Sequence, residues 1–315
     1  MKVSFIGSGG VACTTAFALS FKDFFNEMVM LDINPNIAKG KAIDLQQSFI
    51  LNHKNINIIG TSDYKLIEGS DVIVITAGSA EAGADREALL QINKKIITEV
   101  ANNLKKYIKN DNNQPFIVLL TNPLDSILKT FIDVGNFNKK KTIGSGNWLD
   151  TARFKYYLAK KLNINFSDIE TFVIGQHGKK MVYLLSQTKI KNESLSNYLK
   201  KQNIDIKEIY NVCNQSTLGG AEIIDLIKFG GTYYGPANSI VELIDAYINN
   251  TKGLFSSSIY CNGEYDIHDC CLGLPVILGE NGVQEIKTLN ISNEEKMQLK
   301  SAYDFVKELN NIEIK

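Results

Sequence analysis

The first twelve residues constrain the fold more than any other part of the sequence. The apolar run from Lys2 to Ile6 is typical of a buried strand, and it leads directly into G-S-G-G-V-A at residues 7–12. A helix is predicted from Val11 to about Phe21. A strand, a glycine-rich loop and a helix in direct succession predict the first unit of a nucleotide-binding α/β sheet.

Each small residue of this loop has a physical purpose in such a unit. Gly7 permits the tight turn, Gly9 lets the backbone approach a pyrophosphate, and Ala12 is small enough for close helix packing. The helix N-terminus would then face the phosphates with free N–H groups and the positive end of its dipole. The predicted cofactor-binding residues here are Gly7, Ser8, Gly9, Gly10, Val11 and Ala12.

The next strand, Met28 to Leu31, ends at Asp32, twenty residues after Ala12. A carboxylate at that place binds ribose hydroxyls and disfavours a 2′-phosphate, so NAD is favoured over NADP. Strands and helices alternate throughout residues 1–145, which predicts a doubly wound parallel sheet of the Rossmann type. Residues 146–315 mix strands with long helices, and we predict a second, α+β domain that carries the substrate site.

A histidine in the second half is the strongest candidate for a catalytic group. His177 follows the predicted strand Thr171 to Ile174 and lies between Gly175 and Gly178, so it is expected on a tight loop at a strand end. Histidine changes charge nearest neutral pH, which suits proton transfer. Upstream, Asp150 and Arg153 are three residues apart in a predicted helix and share a face.

The motifs together resemble the lactate/malate dehydrogenase family over the whole chain, most closely its lactate-dehydrogenase-like malate dehydrogenases. The matching segments are G-S-G-G-V-A at 7–12, Asp32, I-T-A-G at 75–78, T-N-P-L-D at 121–125, L-D-T-A-R-F at 149–154, I-G-Q-H-G at 174–178 and G-T-Y-Y-G-P-A at 231–237. The resemblance implies hydride transfer between NADH and a small 2-keto acid.

The resemblance also implies a role for each site residue. His177 would exchange the proton, Asp150 would orient and charge it, and Arg153 would hold the substrate carboxylate by two parallel bonds. Arg86, on a lid, would polarise the carbonyl, and Asn122 would bond the substrate. The cofactor contacts implied by the family are Asn93, Leu120, Thr121 and Asn122.

The substrate's second end is where this sequence departs from the family. Malate enzymes carry an arginine and lactate enzymes a glutamine a few residues before the lid arginine, whereas this chain has Ala80 or Glu81 there. A glutamate ~4 Å from a second carboxylate would cost roughly 4 kcal/mol at an effective dielectric near 20. Lys179 and Lys180 replace the usual residues after the histidine loop, and either one could supply a positive charge.

Three functions therefore stay open. Overall likeness favours malate dehydrogenase, as part of the tricarboxylic acid cycle. L-lactate or another L-2-hydroxy acid is the alternative, because the lactate enzymes favour a threonine at the position of Thr232. A third possibility, from a different class, is an NAD-binding protein with little activity.

Bulk properties limit the partners. The formal net charge of the 315 residues is zero, which argues against nucleic acid or an anionic membrane as partner. The five cysteines show no metal-ligand spacing, so no metal site is expected. No apolar run approaches ~20 residues and the first strand begins at Lys2, so we expect neither a membrane span nor a signal peptide, and a cytoplasmic location. The family resemblance implies a homotetramer or homodimer.

Overall fold

The computed structural model describes residues 1–79, 86–109, 111, 113–228 and 230–312, and at Arg86 it describes the backbone only. The strands are β1 (Lys2–Ile6), β2 (Glu27–Leu31), β3 (Asn57–Thr61), β4 (Val72–Ile75), β5 (Phe116–Leu119), β6 (Thr142–Gly144), β7 (Ile169–Glu170), β8 (Val173–Gly175), β9 (Met181–Tyr183), β10 (Lys189–Ile190), β11 (Glu193–Ser194), β12 (Gly253–Asn262), β13 (His268–Gly279) and β14 (Gly282–Ile286). The helices are α1 (Gly10–Leu19), α2 (Pro35–Leu51), α3 (Arg86–Leu104), α4 (Leu124–Gly135), α5 (Gly146–Leu162), α6 (Leu195–Gln202), α7 (Ile206–Ile227), α8 (Tyr234–Ile248) and α9 (Asn293–Asn310).

The first six strands form a parallel sheet in the order β3-β2-β1-β4-β5-β6. This is the doubly wound order, and it confirms the predicted fold class. The order reverses between β1 and β4, so the loops that follow these two strands diverge there. A crevice at such a reversal is where open α/β sheets bind their ligands.

The central strand β4 is apolar throughout because both of its faces are covered. In β4, Val72 and Val74 belong to one buried cluster, whereas Ile73 and Ile75 belong to the cluster on the other face. Helix α1 packs with α8 on one side, and α3 packs with α4 on the other. An uninterrupted run such as V-I-V-I is therefore what a central parallel strand requires.

The second half extends the same sheet with antiparallel strands. Ser258 of β12 pairs with Gly144 of β6, and the order then continues through β13, β8 and β9, with β14 paired to β13. A separate antiparallel sheet has the order β11-β10-β7. Together with helices α5 to α9 this gives the predicted α+β character of the second half. No helix in the described part of the chain is both long and apolar enough to cross a membrane.

Several short elements of this architecture were not predicted from the sequence. The strand β6, which joins the two halves of the sheet, has only three residues, and α6 has only eight. Such short segments hold too few residues to establish a periodicity. The regular spacing of apolar residues after Arg86 predicts a helix to about Lys109, but α3 ends at Leu104 and residues 105–107 are turns.

Candidate active site

The glycine loop turns tightly at the carboxyl end of β1. Gly7 has a φ of +94°, and a Cβ there would lie 2.8 Å from the backbone nitrogen of Ala77. The Gly7 N–H donates to the carbonyl of Leu31 at 2.8 Å, which ties the loop to β2. Only glycine satisfies both the positive φ and the close approach of the loop that follows β4.

The other loop residues leave open space at the N-terminus of α1. A Cβ on Gly9 would meet no atom within 4 Å, whereas a Cβ on Gly10 would lie 2.5 Å from the ring of Tyr233. Val11 is partly buried and Ala12 is fully buried. The helix has no side-chain cap and no acidic residue in its first turn. Its N–H groups are therefore arranged to receive an anion, which fits the pyrophosphate of a dinucleotide.

Asp32 is half-buried at the carboxyl end of β2, where it also supports the loop. One carboxylate oxygen accepts from the Ser8 N–H at 2.9 Å, and the other accepts from the Asn34 N–H at 3.0 Å. Each oxygen has a second lone pair, so the carboxylate can still accept from ribose hydroxyls. The Ser8 N–H, in contrast, is already occupied by Asp32.

The loops that follow β4 and β5 are tied together beneath the cleft. Asn93 is buried, accepts from the Ser79 N–H at 2.7 Å, and donates to the carbonyls of Ser79 and Asn122 at 3.1 and 2.7 Å. Thr121 is also buried and donates to the carbonyl of Ala77 at 2.6 Å. Leu120 is half-buried and Asn122 is exposed. Both the oxygen and the nitrogen of the Asn93 side-chain amide are thus engaged in holding these loops.

His177 and Asp150, separated in the sequence, form a hydrogen-bonded pair. Nδ1 of His177 lies 2.7 Å from Oδ2 of Asp150, which is fully buried on α5. The side chain of His177 keeps 13% exposure, two residues beyond the end of β8. Since Nδ1 is occupied by the carboxylate, Nε2 is the nitrogen that can exchange a proton with a ligand.

The surroundings of His177 favour its protonated form. Burial lowers the pKa of the imidazole, but the negative charge and hydrogen bond of Asp150 raise it more, and Asp125 adds to the increase. The positive charge of Arg153 opposes them. The net effect raises the pKa of His177 above its usual value, so the proton-donating form persists closer to neutral pH.

Arg153 lies beside this pair on the same face of α5. Its Nη1 is 3.5 Å from Oδ1 of Asp150, and its side chain is 16% exposed. A Cβ on Gly220 of α7 would lie 3.2 Å from Nη2, so the absence of a side chain there makes room for the guanidinium. The long contact with Asp150 is not the paired, parallel geometry of a bidentate bond, which leaves the guanidinium able to hold another carboxylate.

Two residues that sequence analysis did not single out fix the histidine loop. Asp125, buried on α4, accepts from the backbone N–H of His177 at 2.9 Å and from Ser258 at 2.6 Å. A Cβ on Gly146, the first residue of α5, would lie 2.5 Å from Cγ of the His177 ring. Asp125 was part of a matching motif, but its two partners are distant in sequence, and no local pattern indicates either contact.

The loop around His177 is also braced from within. Gln176 is buried; it donates to the carbonyl of His177 at 2.6 Å and accepts from the Lys180 N–H at 3.0 Å. Gly178 adopts a φ of +142°. Lys179 and Lys180 are exposed, and the amine of Lys180 lies 3.3 Å from the hydroxyl of Ser301 on α9.

The predicted lid can be described only at its ends. Ser79 precedes it, and α3 begins at Arg86, whose side chain lies outside the described part of the chain, as do Ala80 and Glu81. Within the described residues, no group of three or more His, Cys, Asp or Glu side chains could hold a metal ion.

The fold and the site define a class before any comparison. A doubly wound sheet whose glycine loop leads into a helix without a side-chain cap can bind a dinucleotide. A histidine–carboxylate pair beside an arginine can move a proton on a substrate that carries a carboxylate. This combination is that of a nicotinamide-dependent dehydrogenase of 2-hydroxy acids.

Comparison with known proteins agrees with this class. Residues 1–144 match the family model "lactate/malate dehydrogenase, NAD binding domain", and residues 148–313 match "lactate/malate dehydrogenase, alpha/beta C-terminal domain". The malate dehydrogenase of Ehrlichia chaffeensis is 36% identical over 94% of this chain and 93% of its own length. The chain belongs to the lactate/malate dehydrogenase family and, within it, has an NAD binding domain and the family's C-terminal domain.

Solved structures from both branches of the family are similar to the chain. The malate dehydrogenase of Cryptosporidium parvum superposes with a TM-score of 0.92 at 32% identity and covers 98% of this chain and 97% of its own. The lactate dehydrogenase of the same organism, complexed with lactic acid and nicotinamide adenine dinucleotide, also gives a TM-score of 0.92, at 31% identity, covering 98% and 96%. Fold similarity alone therefore does not separate the two substrates.

Proposed function

We propose that this chain catalyses the NAD-dependent interconversion of malate and oxaloacetate, with His177 as the proton donor and acceptor. The 2.7 Å contact between His177 and Asp150 carries the proposal, because it combines a proton-exchanging ring with a buried carboxylate that stabilises its charged form. The choice of malate rests on relatives over nearly the full length that are named malate dehydrogenase, at 35–36% identity.

The seat of the cofactor follows from the glycine loop. NADH bound there would supply the hydride that reduces the keto carbon of the substrate. Gly9 leaves the space that the pyrophosphate needs, the free N–H groups of α1 meet its charge, and Asp32 accepts from the ribose. We assign the remaining cofactor contacts to Asn93, Leu120, Thr121 and Asn122.

The protein's own part of the reaction is to hold the substrate and move a proton. Arg153 holds the substrate carboxylate beside the ring of His177, and Nε2 donates its proton to the keto oxygen in the reduction. In the oxidation the neutral ring takes that proton back, while Asp150 stabilises the resulting imidazolium. We assign Arg86 to polarising the carbonyl and Asn122 to hydrogen bonding the substrate.

Lactate is the second candidate substrate, and Thr232 and the similarity to a lactate dehydrogenase favour it. The choice between the two substrates depends on whether a positive charge is placed to bind the second carboxylate of oxaloacetate, which pyruvate lacks. Lys180 is engaged with Ser301 on α9, so of the two lysines that follow the histidine loop Lys179 is the better candidate for this role. If neither lysine reaches the substrate, pyruvate becomes the better fit.

We also propose that the chain works as a homo-oligomer in the cytoplasm. The eight residues 221–228, at the end of α7, are all exposed, and four of them are Ile223, Ile224, Leu226 and Ile227. A helix end with this much bare apolar surface favours a second copy as its cover. All five cysteines are free thiols, which fits a reducing compartment.

The experiment that tests the proposed function is NADH oxidation by the purified protein, with kcat/KM compared for oxaloacetate, pyruvate and a bulkier 2-keto acid. We expect the highest value for oxaloacetate. A preference for pyruvate or the bulkier acid would overturn the choice of malate. NADH binding without turnover of any of them would favour an NAD-binding protein of little activity.

A further inference from the structure

Asp125 is a buried carboxylate next to the proposed catalytic pair, and the proposed reaction gives it no step. It lies in the first turn of α4, only 1% exposed, between the histidine loop and β12. One oxygen accepts from the backbone N–H of His177 at 2.9 Å, and the other accepts from Ser258 at 2.6 Å. Burying a carboxylate is costly, so a structural anchor alone would be served as well by a neutral amide.

We propose that Asp125 is a positioning residue for the proposed reaction, one that fixes the backbone of His177 and adds a second negative charge beside its ring. The inference rests on the proposed function for its catalytic meaning. Asp150 and Asp125 then divide the work: Asp150 bonds the ring directly, whereas Asp125 bonds the main chain of the same residue and reaches the ring through space.

The geometry supports an effect on the ring as well as on the loop. Three charged groups have the largest effects on the pKa of His177: Asp150 and Arg153 on α5, and Asp125 on α4. Both carboxylates raise the pKa of His177, and Arg153 lowers it. Asp125 raises the pKa from helix α4 in the first half of the chain, whereas Asp150 raises it from helix α5 in the second half.

The ionisation of Asp125 is also linked to that of His177. Burial raises the pKa of Asp125 to about 6, although the hydrogen bond from Ser258 and the nearby His177 lower it. The pKa of this carboxylate is therefore well above the ordinary range of an aspartate. The two groups are coupled, so the charge on one changes the proton affinity of the other.

The test compares Asp125→Asn with Asp133→Asn. The first variant keeps the shape, and its amide oxygen can still accept from the His177 N–H, but it removes the charge. The second makes the same change farther along α4, where the carboxylate is 46% exposed and paired with Lys129. The readout is the pH midpoint of keto-acid reduction, together with the His177 ring titration followed by NMR, since the chain has only three histidines.

We expect Asp125→Asn to move both midpoints to lower pH by roughly one unit, the size expected for a lost neighbouring charge. Reduction at a pH one unit or more above the wild-type midpoint would then fall about tenfold, while NADH binding and the Asp133→Asn profile stay as in the wild type. Equal midpoints in both variants, with activity retained, would overturn the proposal.

A measurement on the wild-type protein covers the case in which the variant does not fold. The His177 amide donates to Asp125, so its proton shift should titrate with a midpoint near that of the carboxyl group, about 6. A flat shift across that range would overturn the proposal. Because the ring and amide titrations need no substrate, they decide this inference even if no 2-keto acid is turned over and the proposed function fails.

Discussion

At the scale of single residues, the site is organised around the ring of His177, which is held in place from several directions. Asp150 bonds Nδ1 at 2.7 Å, and Asp125 bonds the backbone N–H at 2.9 Å. Gly146 makes room for the ring at the first residue of α5. The ring can therefore move little, and a small displacement should cost activity more than it costs stability.

Gly146→Ala tests how tightly the ring is held. The new Cβ would lie 2.5 Å from Cγ of His177, closer than van der Waals contact allows, so the ring must shift from its present position. We expect kcat/KM to fall by roughly 100-fold, the loss typical of a misplacement near 1 Å, with NADH affinity unchanged.

Gly40→Ala is the control for this substitution, since a Cβ at Gly40 in α2 meets no atom within 4 Å. That variant should keep full activity and gain up to about 1 kcal/mol of stability from better helix propensity. Full activity in Gly146→Ala would show that the ring is not confined as described.

Asp125 also makes stability depend on pH in a defined direction. Its pKa is about 6 in the folded chain and 3.8 in the reference state, so its contribution to stability is complete below pH 3.8 and is lost as the pH rises to about 6. The raised pKa of His177 acts in the same direction. The free energy of unfolding of Asp125→Asn should therefore rise relative to that of the wild type between pH 4 and pH 7, by up to about 3 kcal/mol.

Urea unfolding at fixed protein concentration measures this difference, and Asp133→Asn is again the matched variant. The difference in the free energy of unfolding between Asp125→Asn and the wild type should grow with pH. A constant difference over the range would mean that Asp125 has an ordinary pKa in the folded chain.

At the scale of elements, α3 connects the lid to the C-terminal helix. Asn93 bonds Ser79 and Asn122, and its neighbour Lys94 is buried. The Lys94 amine donates to the carbonyls of Leu309 and Asn310 in the last turn of α9 and of Ile312 just beyond it, at 3.2, 3.2 and 2.8 Å. Because burial lowers the pKa of Lys94, these carbonyls are important for keeping its charge.

Lys94→Met should therefore release the end of α9. The variant keeps an apolar stem but removes the donor, and we expect a loss of about 1–3 kcal/mol in the free energy of unfolding. Faster amide hydrogen exchange should be confined to the last turn of α9. The adjacent Lys95 is exposed, so Lys95→Met should change neither quantity, and equal effects of the two substitutions would contradict this role.

The elements also show what the sequence could and could not predict. Apolar or periodic segments such as β1, α1 and β2 were predicted to within about two residues, since their burial pattern is local. The strands β6 and β9 have three residues each and give no such pattern. The strand β6 matters most, because its pairing with β12 makes one sheet of the two halves.

The site divides in the same way. His177, Asp150 and Arg153 were predicted to be site residues because glycines, helix spacing and family motifs surround them. The contact of Asp125 with Ser258 and that of Gly146 with His177 join distant segments, so they required the folded chain. The lid residues Ala80 and Glu81 lie outside the described residues, and the specificity they were expected to control stays a prediction.

At the scale of the whole molecule, the exposed apolar end of α7 is the feature that the single chain leaves unexplained. Leu226 is 74% exposed, and Leu218, which lies earlier in the same helix, is 63% exposed. Earlier in the same helix than Leu226, Gly219 lies against the ring of Tyr157 and Gly220 makes room for Arg153. A second copy that covers α7 would therefore also support the wall of the substrate site.

Leu226→Glu tests this arrangement, because a charge in an apolar interface is costly to desolvate. We expect light scattering coupled to gel filtration to report a smaller species than the wild type, and kcat/KM to fall several-fold. Met297→Glu is the control, since Met297 is 67% exposed on α9. An unchanged mass for Leu226→Glu would exclude this surface as the interface.

The replacement of His177 by Asn tests the central claim most directly. NADH oxidation with oxaloacetate would be measured for His177→Asn, the wild type and His268→Asn, in which an exposed histidine is changed, with NADH affinity measured in parallel. We predict a loss of roughly 100- to 10,000-fold for His177→Asn alone, with NADH binding nearly intact, because a general acid contributes rates of that size. Wild-type turnover by His177→Asn would contradict the account.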